Sequence, residues 1–553
     1  MSARIVITFH QGNPLVGDIP GNAQKALAAL ADAARDGADL VMLPELFICG
    51  YPPEDLILRP AFIDACMAAV RELAAETASG PAMLIGAPWR AEGRVYNAMA
   101  LLAGGEVAAL RFKHDLPNYG VFDEKRVFAP GPLPEPVAFR GLKLGLPVCE
   151  DIWTEPVAKH LRARGADILL VANGSPFETE KHDTRLKLAA ERVAETGLPL
   201  VYLNLVGGQD ELVFDGGSFA LNPRPGREQP DCAGLAWRME SFVEQTLTCA
   251  VEKTVDGWHV AAAGCATRPE GEEAVWRACV LGTRDYVEKN RFPGVVLGLS
   301  GGIDSAVVAA MAADALGPER VWAVMLPYEY TAPQSIEDAR ACAAALGIRH
   351  DVVPIFQPVE GFTAALKELF AGREPDVTEE NIQSRARGVV LMAISNKFGP
   401  LVLTTGNKSE MSVGYATLYG DMNGGFNPLK DIYKTQVYGL AKWRNRQGEV
   451  IPERIITKAP SAELRPGQTD QDTLPPYEVL DAILEGLIEE ELSVGEIAAR
   501  GHDRALVARI QHLLYVAEYK RRQAAPGVKI TRRNFGRDRR WPITNAFREN
   551  GRT

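Results

Sequence analysis

Three residues with catalytic potential follow short apolar runs in the first half of the chain. Glu45 follows VMLP, Lys113 follows ALRF and Cys149 follows LGLPV. A deprotonated cysteine is a nucleophile, a glutamate can take the thiol proton and later activate water, and a lysine can stabilise an anionic tetrahedral intermediate. Each residue also has an ordinary alternative, because cysteines are often small core residues and glutamates and lysines usually face water.

A second group of candidate residues lies in the sequence VVLGLSGGIDSAVVAAM. An apolar strand runs into residues 300–305, and an Ala/Val-rich helix follows. Glycines let the backbone approach an anion closely, and the free N–H groups at the start of a helix favour phosphate. Asp304 would repel a polyphosphate unless a cation such as Mg²⁺ lies between them. The GxxxxGK[ST] lysine is missing, and the alternative is a glycine-rich turn with Asp304 as a helix cap.

Apolar runs and helical patterns alternate along the chain and predict the elements that position these residues. In the first half, strands and helices are predicted at 5–9, 23–35, 39–43, 61–76, 82–87, 142–148, 155–164, 167–172, 182–196 and 200–205, with strand-like segments over 214–262. Residues 262–273 predict a linker. A second alternation covers 274–289, 294–299, 303–315, 321–326, 332–346 and 401–404, and further helices are predicted at 436–443, 477–489 and 503–520. Both halves are therefore predicted to be α/β layers, in which strand ends converge on one crevice.

Composition excludes several classes of protein. The chain has 553 residues, 46% hydrophobic and 24% charged, which fits a globular protein of about two to four domains. No apolar run approaches the length of about 18 residues that spans a membrane, and the first apolar run is too short for a signal peptide. The eight cysteines form no C-x-x-C pair, which indicates reduced thiols and a cytoplasmic location.

The charge distribution is uneven. A net charge of −11 argues against a general nucleic-acid or membrane binder, yet residues 520–540 contain nine Lys and Arg and one acidic residue. Taken alone, this basic strip with Phe535 and Trp541 is typical of an RNA-binding arm. The alternatives are a basic surface strip, a segment folded over a phosphate-rich substrate, or one docked on a neighbouring subunit. The acidic chain favours the last two.

The segments LPELFICGYPPEDL, KHDLPNYGVFDEKRVFAPG and LGLPVCEDIW resemble the carbon–nitrogen hydrolase (nitrilase) superfamily, and most closely the glutaminase domains of glutamine-dependent NAD synthetases. The resemblance implies an αββα sandwich in which the catalytic triad is Glu45, Lys113 and Cys149. It implies that Glu124 helps to position the lysine. It also implies glutamine-binding roles for Tyr119, Ser175 and Lys181, although Ser175 in the NGSPF turn has a turn-forming alternative.

The SGGIDS loop resembles the pyrophosphate loop of N-type ATP pyrophosphatases. Three other segments, LVLTTGNKSEMSVGYATLYGDMNGGFNPLKDIYKTQVYGLA, ENIQSRARGVVLMAISNK and YKRRQAAPGVKITRRNFGRDRRWPIT, resemble NAD synthetases. The resemblance implies an ATP site formed by Gly298, Leu299, Ser300, Gly301, Gly302, Ile303, Asp304, Ser305 and Thr405. It implies Mg²⁺ ligands at Asp304 and Glu410 and deamido-NAD contacts at Asn381, Glu410 and Lys520. Asp421 near the nicotinate and Lys434 near the triphosphate are further candidates. Ordinary alternatives are a solvated Glu410 and helix caps at Asn381 and Lys434.

The sequence therefore predicts an αββα glutaminase domain over residues 1–265 and a doubly wound parallel-sheet ATP pyrophosphatase domain over 274–553. The expected reaction uses ATP and Mg²⁺ to amidate deamido-NAD with ammonia from glutamine, in a homo-oligomer that binds neither nucleic acid nor membrane. Other amidating ATP pyrophosphatases, an RNA-binding protein and a silent amidase half remain alternatives. An intact Glu45, Lys113 and Cys149 set argues against the silent half.

Overall fold

The computed structural model describes residues 4–223, 234–547 and 549. The chain divides into two compact units, Met1–Pro269 and Glu270–Thr553, and each is described by itself. Within the described part of the chain, no helix has both the length and the apolar character needed to cross a bilayer.

The first unit alternates strands and helices as the sequence predicts. Its strands are β1 (Arg4–Gln11), β2 (Leu40–Met42), β3 (Ala82–Ala91), β4 (Arg94–Ala103), β5 (Glu106–Phe112), β6 (Val137–Phe139), β7 (Leu142–Gly145), β8 (Ile168–Asn173), β9 (Leu200–Asn204), β10 (Val206–Gln209), β11 (Leu212–Asp215), β12 (Phe219–Asn222), β13 (Gly234–Arg238), β14 (Gln245–Thr254) and β15 (Gly257–Val260). Its helices are α1 (Ile19–Arg35), α2 (Pro60–Glu76), α3 (Pro156–Ala163) and α4 (Lys181–Thr196).

Two sheets pack face to face in this unit. One has the strand order β15-β14-β1-β2-β3-β4-β5 and the other β13-β12-β9-β8-β7-β6. Side chains alternate along each strand, so Leu40 and Met42 lie in the core between the sheets while Val41 faces the opposite layer. Helices α1 and α2 cover the outer face of the first sheet, and α3 and α4 cover the second. The result is the expected αββα sandwich.

Strand direction places the site of this unit at one end of the sandwich. Strands β1, β2 and β3 are parallel to one another, and so are β7, β8 and β9. Glu45 lies just after β2 and Lys113 just after β5, as predicted. The strand predicted over 142–148 is shorter, because β7 ends at Gly145 and Cys149 begins a 3-10 turn, Cys149–Ile152.

The second unit is built around a smaller sheet. Its strands are β16 (Val295–Gly298), β17 (Val321–Met325), β18 (Arg349–Val352) and β19 (Leu401–Val402). Its helices are α5 (Gly271–Lys289), α6 (Ile303–Leu316), α7 (Pro333–Leu346), α8 (Phe356–Leu366), α9 (Val377–Phe398), α10 (Lys408–Val413), α11 (Lys434–Asn445), α12 (Glu453–Thr457), α13 (Tyr477–Ile488), α14 (Val494–Ala499), α15 (Arg504–Val516) and α16 (Glu518–Arg521).

The strand order β18-β17-β16-β19 is wholly parallel. Because the chain runs outward from β16 to β18 and then returns to β19 on the other side, the order reverses beside β16. This reversal is where ligands bind in doubly wound sheets, and residues 300–305 follow β16 there. Several predicted boundaries differ: α5 begins at Gly271, inside the predicted linker, the strand predicted over 401–404 ends at Val402, and the helix predicted over 503–520 breaks at Ala517 into α15 and α16.

Candidate active sites

A buried lysine lies between two glutamates at the end of the sandwich. The Nζ atom of Lys113 is 2.8 Å from Oε1 of Glu45 and 2.9 Å from Oε1 of Glu124. Burial alone would lower the pKa of the Lys113 ammonium, but the charges of Glu124 and Glu45 reverse this and raise it well above its usual range. Lys113 therefore remains a cation inside the protein, as stabilisation of an oxyanion requires.

The Cys149 thiol is held in the electrostatic field of this group. Its backbone adopts a left-handed φ of 46°, which costs energy for a residue with a Cβ and directs the side chain out of the strand path. Burial raises the pKa of the thiol well above its usual value, and Glu45 raises it further, while Lys113 opposes both. The cysteine is thus a thiol at rest that needs a base to become a nucleophile.

Both sheets supply hydrogen-bond donors to the Glu45 carboxylate. The N–H of Gly174, which follows β8 in the second sheet, donates to Oε2 of Glu45 at 2.7 Å. The side-chain amide of Asn97, on β4 of the first sheet, donates to Oε1 at 2.7 Å. A Cβ at Gly174 would lie 2.9 Å from the Tyr51 ring, so glycine permits this close approach. The general base predicted from the sequence is therefore fixed by strands from both layers.

The three residues expected to bind glutamine lie in the same unit with different partners. The hydroxyl of Tyr119 donates to both oxygens of Glu150, at 3.1 and 3.0 Å. Burial raises the pKa of Glu150, against the opposing effect of that hydrogen bond. Lys181 begins α4, and its Nζ lies 5.5 Å from the centre of the Phe122 ring, which also packs against Tyr119.

The hydroxyl of Ser175 is buried and already has a donor. Nε of Arg185 donates to its Oγ at 3.0 Å, and Arg185 also forms a buried ion pair with Asp215 at 2.7 Å. Oγ therefore accepts from the guanidinium, and its own proton is the one that it can donate.

In the second unit, the SGGIDS loop forms a compact turn between β16 and α6. Oγ of Ser300 and Oγ of Ser305 are 3.1 Å apart, and the N–H of Gly302 donates to the Ser300 hydroxyl at 3.3 Å. Gly301 has a φ of +78°, and a Cβ there would lie 2.3 Å from the carbonyl oxygen of Ser335. Glycine is therefore required, and the loop leaves the start of α6 open to an anion.

The Lys434 ammonium joins two acidic side chains beside this loop. It is ion-paired with Asp304, and its Nζ is 3.3 Å from Oε1 of Glu410. Nδ2 of Asn407 donates to Oδ1 of Asp304 at 2.9 Å, and Asn407 also caps α10, which carries Glu410. Burial raises the pKa of Glu410 to about 8, with Lys434 opposing and Asp304 adding to the shift. Neither Glu410 nor Lys434 is the solvated or merely capping residue of the ordinary alternatives.

The donors in this cluster suit a magnesium ion. No group of three or more His, Cys, Asp and Glu side chains arranged for a metal occurs among the described residues. Mg²⁺, however, commonly uses only one or two protein carboxylates together with water and substrate phosphates. Asp304 and Glu410 share a single buried ammonium, and burial, with the charge of Asp304 adding to it, raises the pKa of Glu410. Their carboxylates therefore fit the ion.

A cavity of ≈ 280 Å³ contains most of the residues predicted for the second site. Its lining includes Gly298, Leu299, Ser300, Gly302, Ile303, Asp304, Ser305, Thr405, Glu410, Asp421 and Lys434. Burial raises the pKa of Asp421 to about 6, although the N–H of Thr417 donates to its carboxylate.

Asn381 and Lys520 are used to hold the loop beside Asp421. Oδ1 of Asn381 accepts from the hydroxyl of Thr417 at 2.8 Å. Nζ of Lys520 donates to the carbonyl oxygens of Gly414 and Ala416, at 2.8 and 2.7 Å. Asn381 lies inside α9, which Asp376 caps, so the capping alternative for Asn381 is wrong.

Part of the basic strip is paired with acidic side chains of its own unit. Arg521 and Arg539 both pair with Glu518 at 2.8 Å, and Lys529 pairs with Asp538 at 3.1 Å. All three of these cations are buried. The partners lie in or near the strip, so much of it serves the fold and is not a solvated arm.

Several residues of both sites were missed in the sequence. Tyr51 donates to Glu124 at 2.9 Å, and Asp470, which accepts from Tyr477 at 2.9 Å, lines the second cavity. The pattern Asn-x-x-Glu at Asn407 is a capping signal, and an asparagine within the apolar run VYNAMALLA at Asn97 demands a buried partner. No comparable signal marks Tyr51 or Asp470.

Comparison with known proteins shows the family of each unit. Residues 7–225 match the carbon–nitrogen hydrolase family, and residues 275–524 match the NAD synthase family. The glutamine-dependent NAD(+) synthetase of Rhodobacter capsulatus is 52% identical over 99% of this chain and 100% of its own length. That of Thermotoga maritima is 44% identical over 99% of each chain.

Solved structures extend the comparison over the whole chain. A glutamine-dependent NAD+ synthetase from Acinetobacter baumannii, in complex with adenosine diphosphate, is 43% identical, covers 98% of this chain and 99% of its own, and has a TM-score of 0.77. One from Cytophaga hutchinsonii shares the fold at a TM-score of 0.83 and 23% identity, covering 98% of each chain. With both family matches and full-length relatives in agreement, this chain belongs to the glutamine-dependent NAD(+) synthetase family and is an enzyme of the carbon–nitrogen ligase type.

Proposed function

We propose that the first unit hydrolyses glutamine through a thioester on Cys149. Glu45 takes the thiol proton, and the sulfur attacks the side-chain amide carbon of glutamine. Lys113, a buried cation, stabilises the oxyanion that forms. The C–N bond then breaks as the nitrogen takes the proton from Glu45 and leaves as NH₃. Water, deprotonated by Glu45, hydrolyses the thioester to glutamate and restores the thiol.

The glutamine backbone is held at the rim of this site. Tyr119, Ser175 and Lys181 are the proposed binding residues, and Glu150 joins them because Tyr119 donates to it. Ser175 would donate to the substrate carboxylate, since Arg185 already donates to its oxygen. Lys181 would add a positive charge to the same carboxylate, and Glu150 is the negative group suited to the α-ammonium.

The second unit would then use the ammonia. ATP transfers its adenylyl group to the nicotinate carboxylate of deamido-NAD and releases pyrophosphate; NH₃ attacks the carbonyl carbon, AMP leaves and NAD forms. The loop 300–305 would hold the triphosphate, with Thr405 and Lys434 as further ATP contacts. Asp304 and Glu410 would hold Mg²⁺, which neutralises phosphate charge when bound. Asn381, Glu410, Asp421 and Lys520 would form the deamido-NAD region.

The observation that carries the proposal is the burial of Lys113 between Glu45 and Glu124, beside the thiol of Cys149. A structural role alone gives no reason to bury a cation, two carboxyls and a thiol together. We assign glutamine hydrolysis to residues 1–265 and NAD synthesis to residues 274–553, which fall inside the two compact units.

The test replaces the nucleophile alone. In Cys149→Ala, NAD synthesis from labelled glutamine, ATP, Mg²⁺ and deamido-NAD should disappear, while synthesis from ammonium salts at high pH continues. Cys265→Ala removes an exposed cysteine of the same unit and should leave both activities intact. Loss of both activities in Cys149→Ala, or of neither, would contradict the assignment.

The homo-oligomer expected from the sequence stays a prediction. Val377, Val389 and Phe398 of α9 are 61%, 59% and 62% exposed, but at about 100° per residue Val389 and Phe398 lie on opposite sides of the helix and form no single apolar face. A second copy of this chain is the proposed partner. Sedimentation velocity should show an oligomer, and a monomer at micromolar concentration would contradict it.

A further inference from the structure

The two oxygens of the Glu45 carboxylate have unequal numbers of donors. Oε1 receives the Lys113 ammonium at 2.8 Å and the Asn97 amide at 2.7 Å. Among the described residues, Oε2 receives one donor, the Gly174 N–H at 2.7 Å. Because each carboxylate oxygen accepts about two hydrogen bonds, Oε1 is saturated and Oε2 has one position open.

Asn97 makes this asymmetry at a cost to its own hydrogen bonding. It is 1% exposed, and its Oδ1 is buried without a hydrogen-bond partner among the described residues. A buried, unpaired carbonyl oxygen destabilises the fold, so its presence indicates that the amide is needed for another purpose. Its main-chain carbonyl also accepts the N–H of Lys113 at 2.8 Å. The residue therefore touches both polar members of the triad through different atoms.

Glu124 is a second carboxyl in this pocket, and its pKa shows the effect of burial with fewer hydrogen-bond donors. Its Oε1 accepts from Lys113 and from Tyr51, both at 2.9 Å, but its Oε2 is buried without a partner in the part of the chain that the structure describes. Burial raises the pKa of Glu124 to about 7, against the opposing charge of Lys113. Two glutamates share one lysine, and in the described residues Glu45 alone has additional N–H donors. The pocket thus distinguishes the two carboxyls by the number of donors.

We propose that Asn97 is a positioning residue that occupies Oε1 of Glu45 and so reserves Oε2 as the oxygen that takes the Cys149 proton. In the first step the S–H bond breaks, its proton binds Oε2, and the sulfur keeps the electron pair that forms the bond to the amide carbon. The proton on Oε2 later passes to the departing nitrogen. This inference rests on the thioester route proposed above and adds a residue that does not touch the substrate.

The test combines steady-state kinetics with titration of the thiol. Asn97→Ala should lower kcat for glutamine hydrolysis by about 10- to 100-fold, the range for a lost hydrogen bond to a charged group. KM for glutamine should stay within about threefold of the native value, because Asn97 contacts Glu45 and, in this proposal, does not contact the glutamine. The isosteric Asn97→Asp leaves no cavity, and its neutral acid form can still donate to Glu45, so it provides a second variant.

The pH dependence of alkylation of Cys149 by iodoacetamide gives a readout that a structural role would not move. The charged groups that interact with the thiol include Glu45, Lys113, Glu124, Glu150 and Arg185, and the titratable hydroxyls near it include those of Tyr51, Tyr119 and Tyr202. Asn97→Asp adds a carboxyl at the position of the amide, so that two carboxyls compete for one proton and thiolate formation moves upward by about one pH unit or more.

The matched control is Asn222→Ala on β12. It removes an amide that makes two hydrogen bonds to Val260, both 2.8 Å, away from the triad. It should lower the melting temperature and leave the alkylation profile unchanged. If both Asn97 variants also show only reduced stability, Asn97 is structural and the proposal fails. A failure of the thioester route itself appears separately, as glutamine-driven synthesis that survives Cys149→Ala.

Discussion

Replacement of Glu124 by glutamine tests how the buried charges of the first site are balanced. Glu124 accepts from Lys113 and Tyr51 through Oε1, while Oε2 has no partner among the described residues. The amide of Glu124→Gln has the shape of the protonated acid and keeps the accepting oxygen. The variant therefore imitates the low-pH form of the native chain at every pH.

The sign of the pH effect follows from the direction of the shift. Burial raises the pKa of Glu124 from 4.5 to about 7 in the folded chain, against the opposing charge of Lys113. A raised pKa means that the folded state binds the proton more tightly than the unfolded state. The stabilising contribution of that proton is complete below pH 4.5 and is lost as the pH rises through about 7. The glutamine variant does not undergo this loss.

The expected size follows from the same values. One pKa unit corresponds to about 1.4 kcal/mol, so ionisation of Glu124 in the fold costs on the order of 3 kcal/mol. For a unit of this size, 1 kcal/mol changes the melting temperature by about 2–4 °C. The difference in melting temperature between Glu124→Gln and the native chain should therefore grow by about 5–10 °C, in favour of the variant, between pH 5 and pH 8.5.

The assay is calorimetry of the full chain at both pH values. The transition that ATP shifts belongs to the second unit, so the other transition reports the first. Glu252→Gln removes an exposed carboxyl of the same unit and should show no such growth. Parallel curves for Glu124→Gln and the native chain would refute the reasoning. A variant that loses stability at high pH would show that the ion pair with Lys113 outweighs burial.

Three further substitutions test the second unit. Asp304→Asn should reduce pyrophosphate release from ATP at least about 100-fold while glutamine hydrolysis remains detectable, and normal ATP turnover would exclude Asp304 as a Mg²⁺ ligand. Gly301→Ala should weaken ATP binding about tenfold or more, measured by calorimetric titration, because its Cβ would lie 2.3 Å from the Ser335 carbonyl oxygen. The control Gly302→Ala should lose less ATP affinity, since its Cβ would meet a side-chain oxygen at 3.3 Å. Lys434→Met leaves Asp304 and Glu410 without their cation and should destabilise the second unit by about 3–5 kcal/mol, measured by calorimetry. High Mg²⁺ should restore part of this stability. An unchanged melting temperature would show that the ion pairs are not needed.

The parts of the fold that the sequence predicts are those that depend on local pattern. Glu45 and Lys113 were predictable because each follows a strand, and parallel strands bring their carboxyl ends to one edge. The SGGIDS loop was predictable because the strand, glycines and helix are contiguous. Cys149 was predicted at the end of a strand, but it begins a 3-10 turn, because its left-handed φ interrupts the extended backbone.

The parts that were not predictable depend on contacts between distant segments. Asn97 reaches Glu45 across 52 positions of sequence, and Asn407 reaches Asp304 across 103. A polar residue in an apolar strand indicates that a hydrogen-bond partner is needed, but the sequence does not identify that partner. The composition of the basic strip favoured a phosphate-rich substrate or a neighbouring subunit, which stays a prediction, and it did not indicate that Glu518 and Asp538 pair with three of its cations at short range. Composition counts charges, whereas their role depends on geometry.

The two sites solve the same electrostatic problem in different ways. Each buries one lysine between two carboxyls, and in each an asparagine amide donates to one of them: Asn97 to Glu45 and Asn407 to Asp304. One cation cannot balance two buried carboxylates, so a negative charge is left over at each site.

In the first site a proton on Glu124 compensates the excess negative charge, because the pKa of Glu124 is raised to about 7. The Glu45 carboxylate instead accepts hydrogen bonds from N–H donors. In the second site the pKa of Glu410 is raised to about 8, and the open side faces a cavity large enough for phosphates. On the function proposed above, a divalent cation that arrives with ATP would replace the proton there, while the carboxyls of the first site would transfer protons. The same combination of one lysine and two carboxyls would then serve proton transfer in one unit and metal binding in the other.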